Sequence, residues 1–102
     1  MTDKFILDEQ GRAVREPDLI KWAHWFEHAD RGVTRDTIGP SYVSTVFLSI
    51  DHAFEPNQPA VLWETMVFGG PLDQEQDRCS GSRKQAVLMH ARMVEKVKQA
   101  NL

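Results

Sequence analysis

Five polar side chains stand where the interior of a strand or helix would not choose them. Asp51 and His52 close the run Ser44-Thr45-Val46-Phe47-Leu48-Ser49-Ile50. Glu64 and Thr65 interrupt Leu62-Trp63-Glu64-Thr65-Met66-Val67-Phe68-Gly69-Gly70, and His90 lies on the apolar stripe of a C-terminal helix. Carboxylate beside imidazole is the composition of a general acid–base pair and equally of a divalent-metal site. An unpaired buried charge costs several kcal/mol or more, so each group needs a partner. Two readings follow. Glu64 and His90 are core polar groups bonded to each other or to backbone, with Asp51 capping a loop, or the cluster binds a ligand. There is no H-E-x-x-H and no Cys/His pair of zinc type, so neither a metal set nor a catalytic set is assigned.

A second constellation is Arg78-Cys79-Ser80-Gly81-Ser82-Arg83-Lys84, where small residues and basic side chains lead into a helix. Free backbone amides at a helix start favour anions, although the spacing is not that of a phosphate-binding P-loop. Gly69-Gly70 is a weaker signal of the same kind. The aromatic residues Trp22, Trp25, Phe26, Tyr42 and Trp63 exceed what a small core needs, and a Trp ring can stack on a nucleobase or anchor an interface. Trp25 is the one expected to stand partly exposed. Cys79 has no His fixed beside it in sequence and is read as incidental. The candidate ligand-binding residues are thus Trp25, Asp51, His52, Glu64, Thr65, Arg78 and His90.

The elements that must position them are short. Phe5-Ile6-Leu7 and Ala13-Val14 flank a turn containing Gly11 and read as a hairpin. Pro17, with Glu16 and Asp18 beside it, suits a helix start, and Leu19, Trp22, Ala23, Phe26 and Ala29 recur at helical spacing as far as Arg31. Gly32 suits the stop. Val33 to Ile38, Tyr42 to Ile50 and Ala60 to Phe68 read as strands, with a loop from Asp51 to Pro59. Glu64 alternates onto one face with Leu62, Met66 and Phe68. Both faces of that strand are largely apolar, which argues for a central strand or a face covered by a second subunit. Residues 69–81 read as surface loop. Ser82 with Gln85 forms a capping-box signature for a second helix ending near Gln99, with Ala86, Val87, His90, Met93, Val94 and Val97 inward. The expectation is a single α+β domain over residues 1–102: an antiparallel sheet with two helices in the order ββ-α-βββ-α, the helices most simply on one face.

Composition bounds the function. The 102 residues carry 41% hydrophobic and 26% charged side chains, ordinary for a globular domain able to form its own core. A net charge of −3 leaves no electrostatic footprint for duplex nucleic acid. The single Cys79 excludes an internal disulfide and fits a reducing cytoplasm. No apolar run reaches membrane-spanning length, and Met1-Thr2-Asp3-Lys4 has no signal-peptide core, so a cytoplasmic protein without membrane contact is expected.

Pro17-Asp18-Leu19, Trp22 with Trp25-Phe26, the segment Ser44 to Leu48, Asp51-His52, the segment Glu64 to Gly70, Asp77-Arg78 and His90 together resemble a small family of bacteriophage, prophage and bacterial proteins without an assigned activity. The resemblance covers nearly the whole chain. It departs at Cys79, where relatives carry an aromatic residue, at Met89, where they carry Gly, and at Arg83-Lys84, where they are acidic. Those departures weaken the anion reading more than the Asp51/His52/Glu64/His90 cluster. The resemblance implies a phage setting. The expected function is a non-catalytic accessory protein without cofactor that binds a small polar ligand, of the nucleotide type used as an antiviral immune signal, and acts as a homo-oligomer in the host cytoplasm. An inhibitor that binds a protein of a host defence complex is the alternative, and a small hydrolase or metal-dependent enzyme comes third.

Overall fold

The computed structural model describes residues 3–53, 55 and 57–102. Met1 and Thr2 of the N-terminal stretch and Pro56 of the predicted loop lie outside the described residues. The order is β1 (Phe5–Leu7), β2 (Ala13–Arg15), α1 (Leu19–His28), β3 (Gly32–Ile38), β4 (Ser41–Phe47), β5 (Val61–Phe68), β6 (Gln76–Ser80) and α2 (Arg83–Ala100). β1 and β2 pair as a separate antiparallel hairpin, while β3-β4-β5-β6 form a four-stranded antiparallel meander. This is the expected α+β fold, with one strand more in the second set. β6 lies inside the segment read as loop. Its sequence, Gln-Asp-Arg-Cys-Ser, has little strand character, and the backbone edge that β5 offers overrides that preference.

In the hairpin, Gly11 has φ +79°, the left-handed conformation that glycine takes without steric cost. Asp8 clamps the turn by accepting from the Gln10 and Arg12 amides at 2.9 Å and from Arg12 Nε at 2.9 Å. The Arg12 backbone N–H, more than any other contact, holds the Asp8 carboxyl below its ordinary range. This lowered folded-state value contributes stability above the ordinary carboxylate range, lost as pH falls through it.

Helix α1 starts later and ends earlier than predicted. Pro17, expected as the first helical residue, lies before the helix, and Asp18 is its cap, with Oδ1 accepting from Ile20 N at 3.0 Å and Lys21 N at 3.2 Å. Ala29 already has extended backbone, so the helix stops at His28 and Gly32 opens β3 instead. No α1 side chain is fully buried; Trp22, Trp25 and Phe26 are half-buried, although the helical spacing of Trp22 and Phe26 reads as core packing. The helix packs on β1. It is held there by Trp22 Nε1, which donates to the carbonyls of Phe5 (3.2 Å) and Ser49 (3.3 Å), and by Trp25, edge-on to Phe47 at 5.8 Å.

Only α2 lies along the meander, against all of its strands. Its buried stripe is Ala86, Met89, His90, Met93 and Val97, while Val87 is 44% exposed. Met89 therefore replaces Val87 among the predicted inward residues, because position 87 falls a full residue rotation (~100°) from 86 and away from 90 and 93. Ser82 and Gln85 bond to each other, Ser82 Oγ to Gln85 Oε1 at 2.6 Å, and the Ser82 side chain makes no backbone cap bond. The expected capping box is thus not formed: the two side chains satisfy each other instead of the helix's backbone amides.

The core has two apolar clusters. Phe5, Phe47, Leu62, Trp63, Ala86 and Met89 fill one end, and Val43, Val67, Met93 and Val97 fill the other. Between them, at the intervening inward positions of β4, β5 and α2, lie Thr45, Thr65 and His90, all buried.

β4 ends at Phe47, short of the predicted Ile50, because Ser49 turns the chain with φ +68°. Ile50 then bridges to Lys4, which ties the hairpin to the meander. Ser49 is fully buried and its hydroxyl has no partner among the described residues. A non-glycine residue in this conformation loses roughly 1–2 kcal/mol, and an unsatisfied buried hydroxyl about 1–3 kcal/mol. Glycine's larger unfolded-state entropy returns only roughly 0.5–1 kcal/mol. Ser49→Gly is therefore expected to raise stability by about 1–4 kcal/mol. A urea melt with a lowered midpoint would contradict this.

Candidate functional site

The structure distributes the seven candidate residues over separate places rather than one pocket. Thr65 and His90 belong to the buried layer under α2. The layer is a chain of bonds: Thr65 Oγ1 to Thr45 Oγ1 at 2.5 Å, Thr45 Oγ1 to His90 Nδ1 at 2.7 Å, and His90 Nε2 to Asp36 Oδ2 at 2.7 Å. Proton accounting fixes its direction. If Nε2 carries the imidazole proton and donates to Asp36, Nδ1 accepts from Thr45, and Thr45 accepts from Thr65. Every hydroxyl proton then has an acceptor. The opposite direction leaves the Thr65 proton without one among the described bonds.

Hydroxyl, imidazole and carboxylate in a row also make the composition of a nucleophilic triad, but burial runs the wrong way. Thr45 and Thr65 are 0% exposed, whereas the Asp36 side chain is 52% exposed. In a working triad the nucleophile meets substrate and the carboxylate is sheltered. Here the hydroxyls are sealed between two apolar clusters, so the chain is a structural network that seats α2 on the sheet. Sequence reasoning found two of its members and missed Thr45 and Asp36. Thr45 had a signal, a polar residue alternating inward with Val43 and Phe47. Asp36 had none, because it joins through the β3–β4 register.

Glu64 points to the opposite face from Thr65. Its Oε2 accepts from Arg78 Nε at 2.6 Å across the β5–β6 ladder, so the partner of Glu64 is Arg78 and not, as expected from the sequence, His90 or backbone. Asp51 caps the β4–β5 connection, accepting from Ala53 N at 2.8 Å and from Val61 N at 2.9 Å. His52 donates from Nδ1 to Ile50 O at 2.8 Å, and its amide donates to Val61 O at 3.0 Å. These two residues close the mouth of the connection. Trp25 is half-buried on α1. Among the described residues, no three His, Cys, Asp or Glu side chains are grouped to hold a metal ion.

The second constellation separates too. Arg78 pairs through Nε with Glu64 on the outer sheet face, away from the helix start, while Arg83 and Lys84 join Arg12 around a groove of ≈ 360 Å³ between the hairpin turn and the start of α2. Gly69 and Gly70 are structural: both have positive φ, and a Cβ at Gly69 would stand 2.5 Å from the Pro40 carbonyl oxygen. Cys79 is half-buried opposite Trp63. Burial, with the Asp77 carboxylate behind it, pushes the thiol up, and Arg92 opposes this weakly. The folded chain holds that proton more tightly than the unfolded one, so stability should fall as pH rises through the ordinary thiol range. Cys79 should also react with a disulfide reagent at neutral pH more slowly than an unstructured Cys peptide; an equal rate would refute this.

What remains accessible is the sheet face opposite α2. Among the described residues no helix or strand covers it. The register stacks it in rows: Thr37, Tyr42 and Phe68; then Arg35, Ser44, Met66 and Gln76; then Val46, Glu64 and Arg78. Tyr42 and Phe68 are 38% and 44% exposed, with ring centroids 6.3 Å apart. Glu64 and Phe68 share this face of β5 about 13 Å apart, at ~3.3 Å per residue. An exposed aromatic pair at one end and guanidinium and carboxylate groups further along can stack a flat ring and bind charged and hydroxyl groups.

No protein-family model, curated protein or solved structure matches the chain.

Proposed function

We propose that the protein is a non-catalytic binding protein whose open sheet face takes a small polar ligand of nucleotide type. The observation that carries this reading is the uncovered row from the Tyr42–Phe68 ring pair to the Glu64–Arg78 ion pair. The rings stack a base, Arg78 and Arg35 attract phosphate, and Glu64 accepts from ribose or base N–H groups. Of the residues singled out in sequence, Glu64 and Arg78 serve this face. A flat sheet gives a ligand little enclosure, so two copies with their open faces together would form the pocket as a homo-oligomer. The motif resemblance supports a phage setting, in which such a protein sequesters an antiviral signal nucleotide in the host cytoplasm.

Calorimetric titration against linear and cyclic nucleotides, including cyclic ADP-ribose isomers, tests the reading. Binding is expected for at least one member. The Tyr42→Ala/Phe68→Ala protein should lose about 1–3 kcal/mol of affinity for each stacked base with its melting temperature kept. No heat with any member at millimolar concentration would overturn it.

A second reading, a protein inhibitor of a host defence complex, draws on Leu19 and Ile20, which are 60% and 82% exposed at the start of α1. It predicts a protein partner that Ile20→Asp releases, and no retained nucleotide.

A further inference from the structure

We infer that His24 and His28, on the solvent side of α1, form a two-imidazole chelate for a divalent transition metal of the copper, nickel or zinc type. Residues four apart on a helix are neighbours on one face. Both side chains are exposed, and their rings already lie together, with centroids 4.4 Å apart and planes 29° from parallel. The His28 Nδ1 lies 2.8 Å from the His24 carbonyl oxygen, which can only accept, so this nitrogen carries the proton. That bond fixes the His28 tautomer and leaves the Nε2 lone pair for a metal, the orienting role a backbone carbonyl plays in many metal-bound histidines. The His24 ring has no hydrogen-bond partner among the described residues, so it can turn about its side-chain bonds to share one ion with Nε2 of His28.

The surroundings favour a cation. The pair occupies the last turns of α1, where the helix dipole is negative, and Glu27 is exposed next to His28 in the chain; Asp30 is taken up by the Gly32 amide at 2.9 Å and by Arg35 at 3.7 Å. Of the nearby cations, Arg31 is turned away, donating to Phe47 O at 3.1 Å and lying 4.2 Å over the Phe26 ring; Lys21 is exposed. Imidazole donors select copper, nickel and zinc over magnesium and calcium, and the affinity order should place Cu²⁺ above Ni²⁺ and Zn²⁺. The remaining coordination positions fall to water or to a group from another molecule. Because no α1 side chain is fully buried, a chelate across its last turns also ties down the least anchored helix, and binding should raise the melting temperature.

The test uses the untagged 102-residue chain titrated with Cu²⁺ and Ni²⁺ in a non-chelating buffer, followed by calorimetry, thermal melts and the nitrogen hyperfine pattern of bound Cu²⁺. The expected result is one ion per chain with two imidazole nitrogens, a raised melting temperature, and Cu²⁺ above Ni²⁺ in affinity. His24→Gln and His28→Gln, which keep the helix, should each weaken Cu²⁺ binding about tenfold or more, because a single imidazole has no chelating partner. Mg²⁺ should produce no shift. Cu²⁺ binding unchanged in either variant, a one-nitrogen spectrum, or no uptake at millimolar Cu²⁺ would overturn the assignment.

Discussion

Trp63→Ala is expected to remove about 3–5 kcal/mol of folding free energy, the range for truncating a fully buried large aromatic. A domain of this kind is stable by only about 5–15 kcal/mol, so the variant should be largely unfolded well below the wild-type melting temperature. Trp63 is 0% exposed, and its ring lies 5.0 Å from that of Phe47, its cross-strand partner on β4. Its Nε1 donates to the Gly81 carbonyl at 2.9 Å, immediately before α2. One side chain thus fills the larger apolar cluster and fixes where the C-terminal helix begins. Trp63→Phe separates the two roles. It keeps an aromatic ring but leaves the Gly81 carbonyl without this donor, and should cost less, about 1–3 kcal/mol. Denaturant melts by circular dichroism measure both. A Trp63→Ala protein within about 1 kcal/mol of wild type would mean that the cluster is not packed around this ring.

Thr45→Val should cost about 2–6 kcal/mol and Thr65→Val less than half of that, although the two threonines are equally buried and differ from valine in the same way. The reason is the direction of the proton chain. Thr45 stands in the middle, accepting from Thr65 and donating to His90. Its replacement leaves a buried hydroxyl donor and a buried imidazole nitrogen both unsatisfied, each a penalty of about 1–3 kcal/mol. Thr65 stands at the end. Its replacement removes a donor together with its only need and leaves Thr45 still bonded to His90. The double variant should cost less than the sum of the two, since both remove the same bond. Equal costs for the two single variants would mean that the chain is not ordered in this direction.

The same layer shows how far local patterns reach. His90 falls on the helix stripe and Thr65 in the strand interior, and both positions are readable as polar groups that must be satisfied. Their partners are not readable. Glu64 and Thr65 are neighbours in sequence, yet alternation sends them to opposite faces, one to Arg78 and the other to Thr45. The grouping of Asp51, His52, Glu64 and His90 into one cluster fails on this point. Asp51 and His52 are spent on the loop mouth, Glu64 on the outer face, and His90 on an aspartate 54 positions away. Of the candidate set, Glu64 and Arg78 alone share an ion pair, and they meet only because β6 exists.

By itself the sequence determined the two helices, the hairpin, three strands of the meander and the α+β class, because each is encoded in contiguous residues. A period of two or of 3.6, a glycine in a turn and an aspartate at a helix start act over a few positions. Tertiary structure alone decided that Gln76–Ser80 is a strand, that Asp36 completes the His90 chain, and that Tyr42, Phe68, Glu64 and Arg78 share an uncovered face. Strand pairing sets those neighbours. Its register is fixed by backbone edges and by core packing between segments distant in the chain, where no local periodicity carries the information.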